Sequence, residues 1–210
     1  MNKLGDLSCN EFLTELASAA PAPGGGGGAA MAGALAAALA SMVANLTIGK
    51  EKFADREPEV KELLEQAEAE RVRLLTLVDE DAAVFNSFMS CYKLPKTTDE
   101  EKAARTAAIR AAAKQAATVP LNIARSSFAV LKLADRLVVA GNPGVITDGA
   151  CSGLLARAAL RCAEYNVRIN LGLTKDEAWN AQAAADLKQL LADAEALETR
   201  LLAVTDKALQ

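Results

Sequence analysis

Along most of this 210-residue chain apolar residues recur at intervals of three and four, and no useful length alternates with period two. Ser8-x-x-Glu11 is a capping box that opens a first helix over about residues 10–20, ended by Pro21 and Pro23. Five glycines, Gly24 to Gly28, then lead into a charge-free, alanine-rich stretch. That stretch predicts a second helix over about residues 29–48, apolar on every face, as expected of a helix surrounded by others. Pro58 suits the first turn of a third helix. Its apolar positions, Val60, Leu63, Leu64, Ala67, Leu74, Val78, Phe85, Phe88 and Tyr92, keep helical spacing over about 50 Å, and Leu94-Pro95 stops it. A second capping box, Thr98-x-x-Glu101, opens a helix through Ala116 and on towards Val139, with Pro120 expected to kink or break it. Gly141-Asn142-Pro143-Gly144 is a turn, followed by a helix over about residues 145–171. Thr174-x-x-Glu177 predicts a third box and a last helix reaching about Lys207. The sum is an all-α, up-and-down bundle of long helices, kinked near Pro120, as a single domain over residues 1–210.

Composition sharpens this picture. Hydrophobic residues make up 51% of the chain but aromatics only 4%, so the core is built from Ala, Leu and Val and its helices approach closely. A net charge of −4 argues against nucleic acid as a partner. The charge-free interval up to Gly49 is long enough to raise a membrane span. Its prolines, glycines and weakly hydrophobic alanines favour a buried central helix, so no membrane partner is expected. Cys9, Cys91, Cys151 and Cys162 form no C-x-x-C pair, and the acidic N-terminal stretch with Asp6 and Glu11 does not read as a secretory leader. Free thiols and a cytoplasmic location are the expectation. There is no histidine, which removes the commonest metal ligand and the commonest proton carrier.

Catalysis must therefore rest on carboxylate, lysine, cysteine, tyrosine or backbone groups. Asp81 stands out, because its neighbours three and four residues away, Leu77, Val78, Val84 and Phe85, are all apolar. A carboxylate on such a face either finds a partner, as a buried ion pair or a cap, or has a raised pKa suited to general acid–base work. The glycine run is neither a Walker loop nor a dinucleotide fingerprint. It offers close backbone approach and free N–H groups at a helix start. Asn166 and Asn170 share a helix face and suit a heterocycle edge or a helix–helix hydrogen bond. Asp148 fits a helix N-terminus, Asn142 a turn, and Lys50 either a helix C-terminus or the rim of the glycine-helix cavity. Arg157, Arg161 and Arg168 either attract anions or lie solvated on an outer face. Trp179 reads as packing.

Several segments, in order, resemble the cyclodeaminase/cyclohydrolase family, which comprises the C-terminal domain of formiminotransferase-cyclodeaminase and stand-alone bacterial relatives. They are residues 21–26 (Pro-Ala-Pro-Gly-Gly-Gly), 42–50 from Met42 to Lys50, 79–85 around Asp81, and 92–96 from Tyr92 to Lys96. Residues 119–121 and 141–143, Asp148, and residues 166–171 complete the set. The resemblance implies an all-helical, homodimeric enzyme acting on a tetrahydrofolate derivative as substrate, with no prosthetic group and no metal. Two reactions occur in such proteins: cyclodeamination of 5-formiminotetrahydrofolate, and hydrolysis of the 5,10-methenyl bridge to 10-formyltetrahydrofolate. On this reading Asp81 and Lys50 are the catalytic candidates. Gly24, Gly25, Gly26, Gly27, Asn45, Asn142, Asp148, Asn166 and Asn170 are the candidates for holding substrate. The family pattern usually has serine where this chain has Gly27. That departure supports the competing reading, a non-catalytic folate-binding or structural bundle that has kept the scaffold.

Overall fold

The computed structural model describes residues 3–210. Among them there is no strand, and six α-helices carry the architecture: α1 (Cys9–Leu16), α2 (Gly25–Asn45), α3 (Glu57–Cys91), α4 (Asp99–Ala140), α5 (Ile146–Thr174) and α6 (Glu177–Ala208). Short connections make successive long helices antiparallel, the up-and-down arrangement that the periodicity predicts.

α2 is the centre of the bundle. It packs on α3, α4 and α5, while α6 closes the far side against α4 and α5. Ala30, Ala36, Ala37, Ala40 and Ala44 of α2 are fully buried, so neighbouring backbones come close around a helix of small side chains. Larger residues fill in from outside, including Leu74 and Val78 on α3, Ile123, Val130 and Leu131 on α4, Leu160 and Val167 on α5, and Leu201 on α6. By length and composition α2 would also cross a membrane. Here three helices flank it, as the sequence favoured.

The ends follow local chemistry, with some differences from the sequence reading. Both predicted capping boxes at Ser8 and Thr98 form, each hydroxyl accepting from the glutamate N–H three residues on. The third does not. Asp176 takes the cap of α6 by accepting the Trp179 N–H, and Thr174 ends α5 with its hydroxyl donating to Asn180. α1 stops at Leu16, short of residue 20. α4 runs unbroken through Pro120. α2 starts at Gly25, four residues ahead of the alanines, so four of the five glycines are helical. Gly49, with φ +76°, supplies the left-handed residue that turns the chain between α2 and α3.

Two further features bear on the site. A 3-10 turn, Leu4–Asp6, is held on α3 by the Leu4 N–H, which donates to Asp79 Oδ1 at 2.6 Å. At the same end of the bundle, the last turns of α3 and the first turns of α4 form a hairpin over residues 86–112 in which Phe88 alone is buried.

Candidate active site

The first turn of α2 lies against the turn of α3 that carries Asp81. A Cβ built on Gly26 would stand 2.2 Å from Asp81 Oδ1, so any side chain there would have to displace the carboxylate. This is the physical reason for glycine inside a helix, where each costs about 0.5–1 kcal/mol relative to alanine. The first turn of α2 leaves its leading N–H groups without intrahelical partners; the Gly28 N–H is bonded to Gly24 O, at 2.9 Å. Burial pushes the Asp81 carboxyl above the ordinary carboxylate value, and a hydrogen bond from the Gly27 N–H opposes the rise.

A cavity of about 390 Å³ opens at this junction. Its polar wall consists of Gly24, Gly25 and Gly26, the Asp81 carboxylate, and the Asn166 and Asn170 amides. Its apolar wall includes Val84, Phe85 and Phe88 from α3, Val119 from α4, and Ile169 and Leu173 from α5, with Pro21 and Ala22 at the loop. Sequence reasoning singled out the polar set but not these apolar residues as site walls. Their signal was the stripe of Val84, Phe85 and Phe88 on the same side of α3 as Asp81. Asn166 Nδ2 donates to Cys162 O at 3.0 Å, and a Cβ on Gly25 would lie 3.5 Å from that amide nitrogen. Asn170 Nδ2 donates to Ala116 O at 2.9 Å and to Asn166 O at 2.8 Å.

Gly27 lies beside this wall with room to spare. A Cβ there would meet Pro23 Cβ at 3.4 Å and Asp81 Oδ2 at 3.9 Å, both ordinary contacts. A serine would therefore fit and bring its hydroxyl to the carboxylate. Gly27 leaves that space open and still presents its N–H.

The remaining candidates lie at the opposite pole. α2 spans 21 residues, and about 30 Å of helix at 1.5 Å per residue separates Gly25 from Asn45. Asn45, Lys50, Asn142 and Asp148 stand at that far end, and within one chain none reaches the Asp81 cavity. Asn142 serves the turn. Its backbone N–H donates to Thr47 Oγ1, its Nδ2 to Leu46 O, and its Oδ1 accepts from the Gly144 N–H. Asp148 sits in the first turn of α5, where the helix dipole favours a carboxylate. Of the two readings for Lys50, the cavity rim is not met within one chain, because the length of α2 lies between Lys50 and the glycines and Lys50 does not line the cavity. Arg157 pairs with Glu198, while Arg161 and Arg168 both pair with the buried Glu164. Trp179 packs against the core, as the sequence reading expected.

Comparisons with known proteins bear on the family of the chain. Residues 8–189 match the family model described as formiminotransferase-cyclodeaminase. A methenyltetrahydrofolate cyclohydrolase from Methylorubrum extorquens is 45% identical over 94% of this chain and 95% of its own length. A formimidoyltransferase-cyclodeaminase from Sus scrofa is 34% identical over 87% of this chain, which spans only 34% of that longer protein. The crystal structure of formiminotetrahydrofolate cyclodeaminase from Thermotoga maritima superposes with a TM-score of 0.88 at 30% identity, covering 98% of both chains.

Two predictions concern the carboxylate itself. Asp81 has a folded-state pKa above its unfolded value, so the folded state binds the proton more tightly. The stability this contributes is complete below the unfolded pKa, about 4, and is lost as pH rises through the folded value. Asp81→Asn, which stays neutral, is expected to raise the urea midpoint at pH 7, with the gain vanishing below about pH 4. A gain that is constant with pH would show that ionisation is not its source. Gly27→Ser is expected to lower the Asp81 pKa by adding a donor, as read by carboxyl carbon NMR titration. An unchanged or raised value would place the new hydroxyl elsewhere.

Proposed function

This chain belongs to the formiminotransferase-cyclodeaminase family, and we propose that it is a folate one-carbon enzyme that hydrolyses 5,10-methenyltetrahydrofolate to 10-formyltetrahydrofolate. The observation that carries the choice of reaction is the end-to-end match to a stand-alone cyclohydrolase at 45% identity. The Thermotoga maritima cyclodeaminase supports the related reaction, release of ammonia from the 5-formimino compound, as a second activity of the same site. Both reactions pass through a tetrahedral carbon bonded to N5 and N10.

The substrate's bridge is an amidinium carbon, electrophilic and cationic. In the proposed path, water adds to that carbon and loses a proton to Asp81, which gives a neutral tetrahedral intermediate. The bond from that carbon to N5 then breaks. Asp81 returns its proton to N5, and the hydroxyl proton departs to solvent as the formyl C=O forms on N10. One water is consumed and one proton released overall. A carboxyl raised by burial suits this exchange, because it holds a proton more tightly than an exposed carboxylate and can both accept and return it. The ionised carboxylate also lies within a cavity that would otherwise hold a cation against apolar walls.

The pterin would lie along the polar wall, with the Gly24–Gly27 backbone and the Asn166 and Asn170 amides meeting its polar edge. Val84, Phe85, Phe88 and Val119 would cover its rings. On this reading Gly27 is compatible with activity, because its N–H remains available to Asp81. Asn45, Lys50, Asn142 and Asp148 would support the opposite pole of the bundle rather than the chemistry.

Loss of methenyltetrahydrofolate absorbance is expected to exceed the buffer rate by orders of magnitude. Asp81→Asn is expected to fold normally and lose at least about a hundredfold in kcat, the lower range for a general acid–base residue. A folded Asp81→Asn protein at full rate would overturn the role of that residue. A wild-type rate equal to buffer, together with no ammonia release from 5-formiminotetrahydrofolate, would instead favour the non-catalytic bundle.

The reading includes a homodimer and a cytoplasmic setting. Four unpaired cysteines, three of them exposed, suit a reducing compartment. The dimer is supported by an exposed apolar face: Leu35 and Met42 on α2 with Leu46 just after it, beside Leu154, Tyr165 and Ile169 on the adjoining α5. Sedimentation equilibrium is expected to give twice the chain mass, and Leu35→Glu with Met42→Glu to halve it. A monomeric wild-type protein would overturn this assembly.

A further inference from the structure

Pro120 lies in the interior of α4 and has no N–H, so the carbonyl of Ala116, four residues earlier, loses its helical donor. Ala116 lines the Asp81 cavity. The group that fills the vacancy comes from another helix: Asn170 Nδ2 donates to Ala116 O at 2.9 Å. The same nitrogen donates to Asn166 O at 2.8 Å. Both partners are carbonyl oxygens, which can only accept, so the nitrogen of this amide must be the atom between them. Its two N–H bonds are thereby used, and what remains for the cavity is Oδ1.

We propose that Pro120 and Asn170 form one unit that sets the polarity of this wall. Pro120 is its positioning residue, and the Asn170 oxygen is a specificity-determining contact that accepts a hydrogen bond from the substrate. An asparagine free to rotate presents either end and discriminates poorly. Here the proline in α4 holds the amide on α5 in one orientation. Asn170 Oδ1 then only accepts hydrogen bonds, while the N–H groups of Gly25 and Gly26 on the same polar wall only donate. A ligand must match both. Resting on the folate reading above, the partner of Asn170 Oδ1 is an N–H of the reduced pterin, an edge that carries several donors.

The unit is tested by a double-mutant cycle on the full chain with Pro120→Ala, Asn170→Ala and their combination. Pro120→Ala restores a backbone N–H to Ala116 O, so Asn170→Ala is expected to lower Tm in the wild-type background and by clearly less in the Pro120→Ala background. Equal drops in the two backgrounds would overturn the unit. With methenyltetrahydrofolate as substrate, Asn170→Ala is expected to raise KM about threefold to tenfold, the range of one hydrogen bond. Pro120→Ala is expected to raise KM in the same direction with kcat changed less than twofold, although it removes a helix-breaking residue. An unchanged KM in either variant would overturn the specificity role. The thermal cycle needs no substrate. A wild-type protein inert towards both folates would therefore sink the proposed function, while the cycle still decided for or against the pair.

Discussion

The contact between the Asp81 carboxylate and the backbone of Gly26 constrains the rest of the molecule. With the carboxylate 2.2 Å from where a Cβ would stand, glycine at that point of α2 leaves Asp81 in place, and a larger residue would displace it. The contact sets how closely the start of α2 can lie against α3. The alanines further along then face their neighbours, and three helices close around them. The cost of ordering glycines is offset by burial of the helix they begin. The same contact holds a charge among apolar side chains next to unpaired N–H groups, so packing and chemistry share one set of atoms.

Much of this was legible in the sequence, for reasons that differ by element. The long helices were readable because apolar spacing persists over many turns. Asp81 was readable because four apolar neighbours at helical spacing leave a carboxylate nowhere polar to face. The start of α2 was not, because glycine propensity argues against a helix and only the contact with Asp81 forces one. Thr174-x-x-Glu177 matched a capping pattern, but a cap is decided by which residue leaves the helix. Lys175, at φ 56°, turns the chain there and hands the cap to Asp176. The far-end candidates clustered with the glycine run in sequence motifs. Only the length of α2 separated them in space. Pro120 was read as a point of weakness, whereas the hydrogen bond from Asn170 lies some fifty residues away and leaves no local trace.

The chemistry of the cavity follows from which helix end meets it. α2 contributes donors because helices start with unpaired N–H groups. α3 and α5 contribute mid-helix side chains, whose backbone groups are already satisfied. The result is a cavity with donors and acceptors together on one wall and hydrocarbon on the other. Such a cavity suits a flat heterocycle with a polar edge.

The hairpin made by the ends of α3 and α4 has a consequence for how the molecule breathes. Residues 86–112 bury Phe88 and little else, so their amides are protected by pairing between two helices rather than by the core. Hydrogen exchange will therefore divide the protein into a slow bundle and a faster arm, with the boundary near Phe88 on α3 and Ala113 on α4. Phe88 is also a wall of the cavity, as is Ala116, just beyond Ala113. The frontier between the most and least cooperative parts of the fold runs along the cavity, so binding of any ligand there would be thermodynamically linked to local unfolding of the arm.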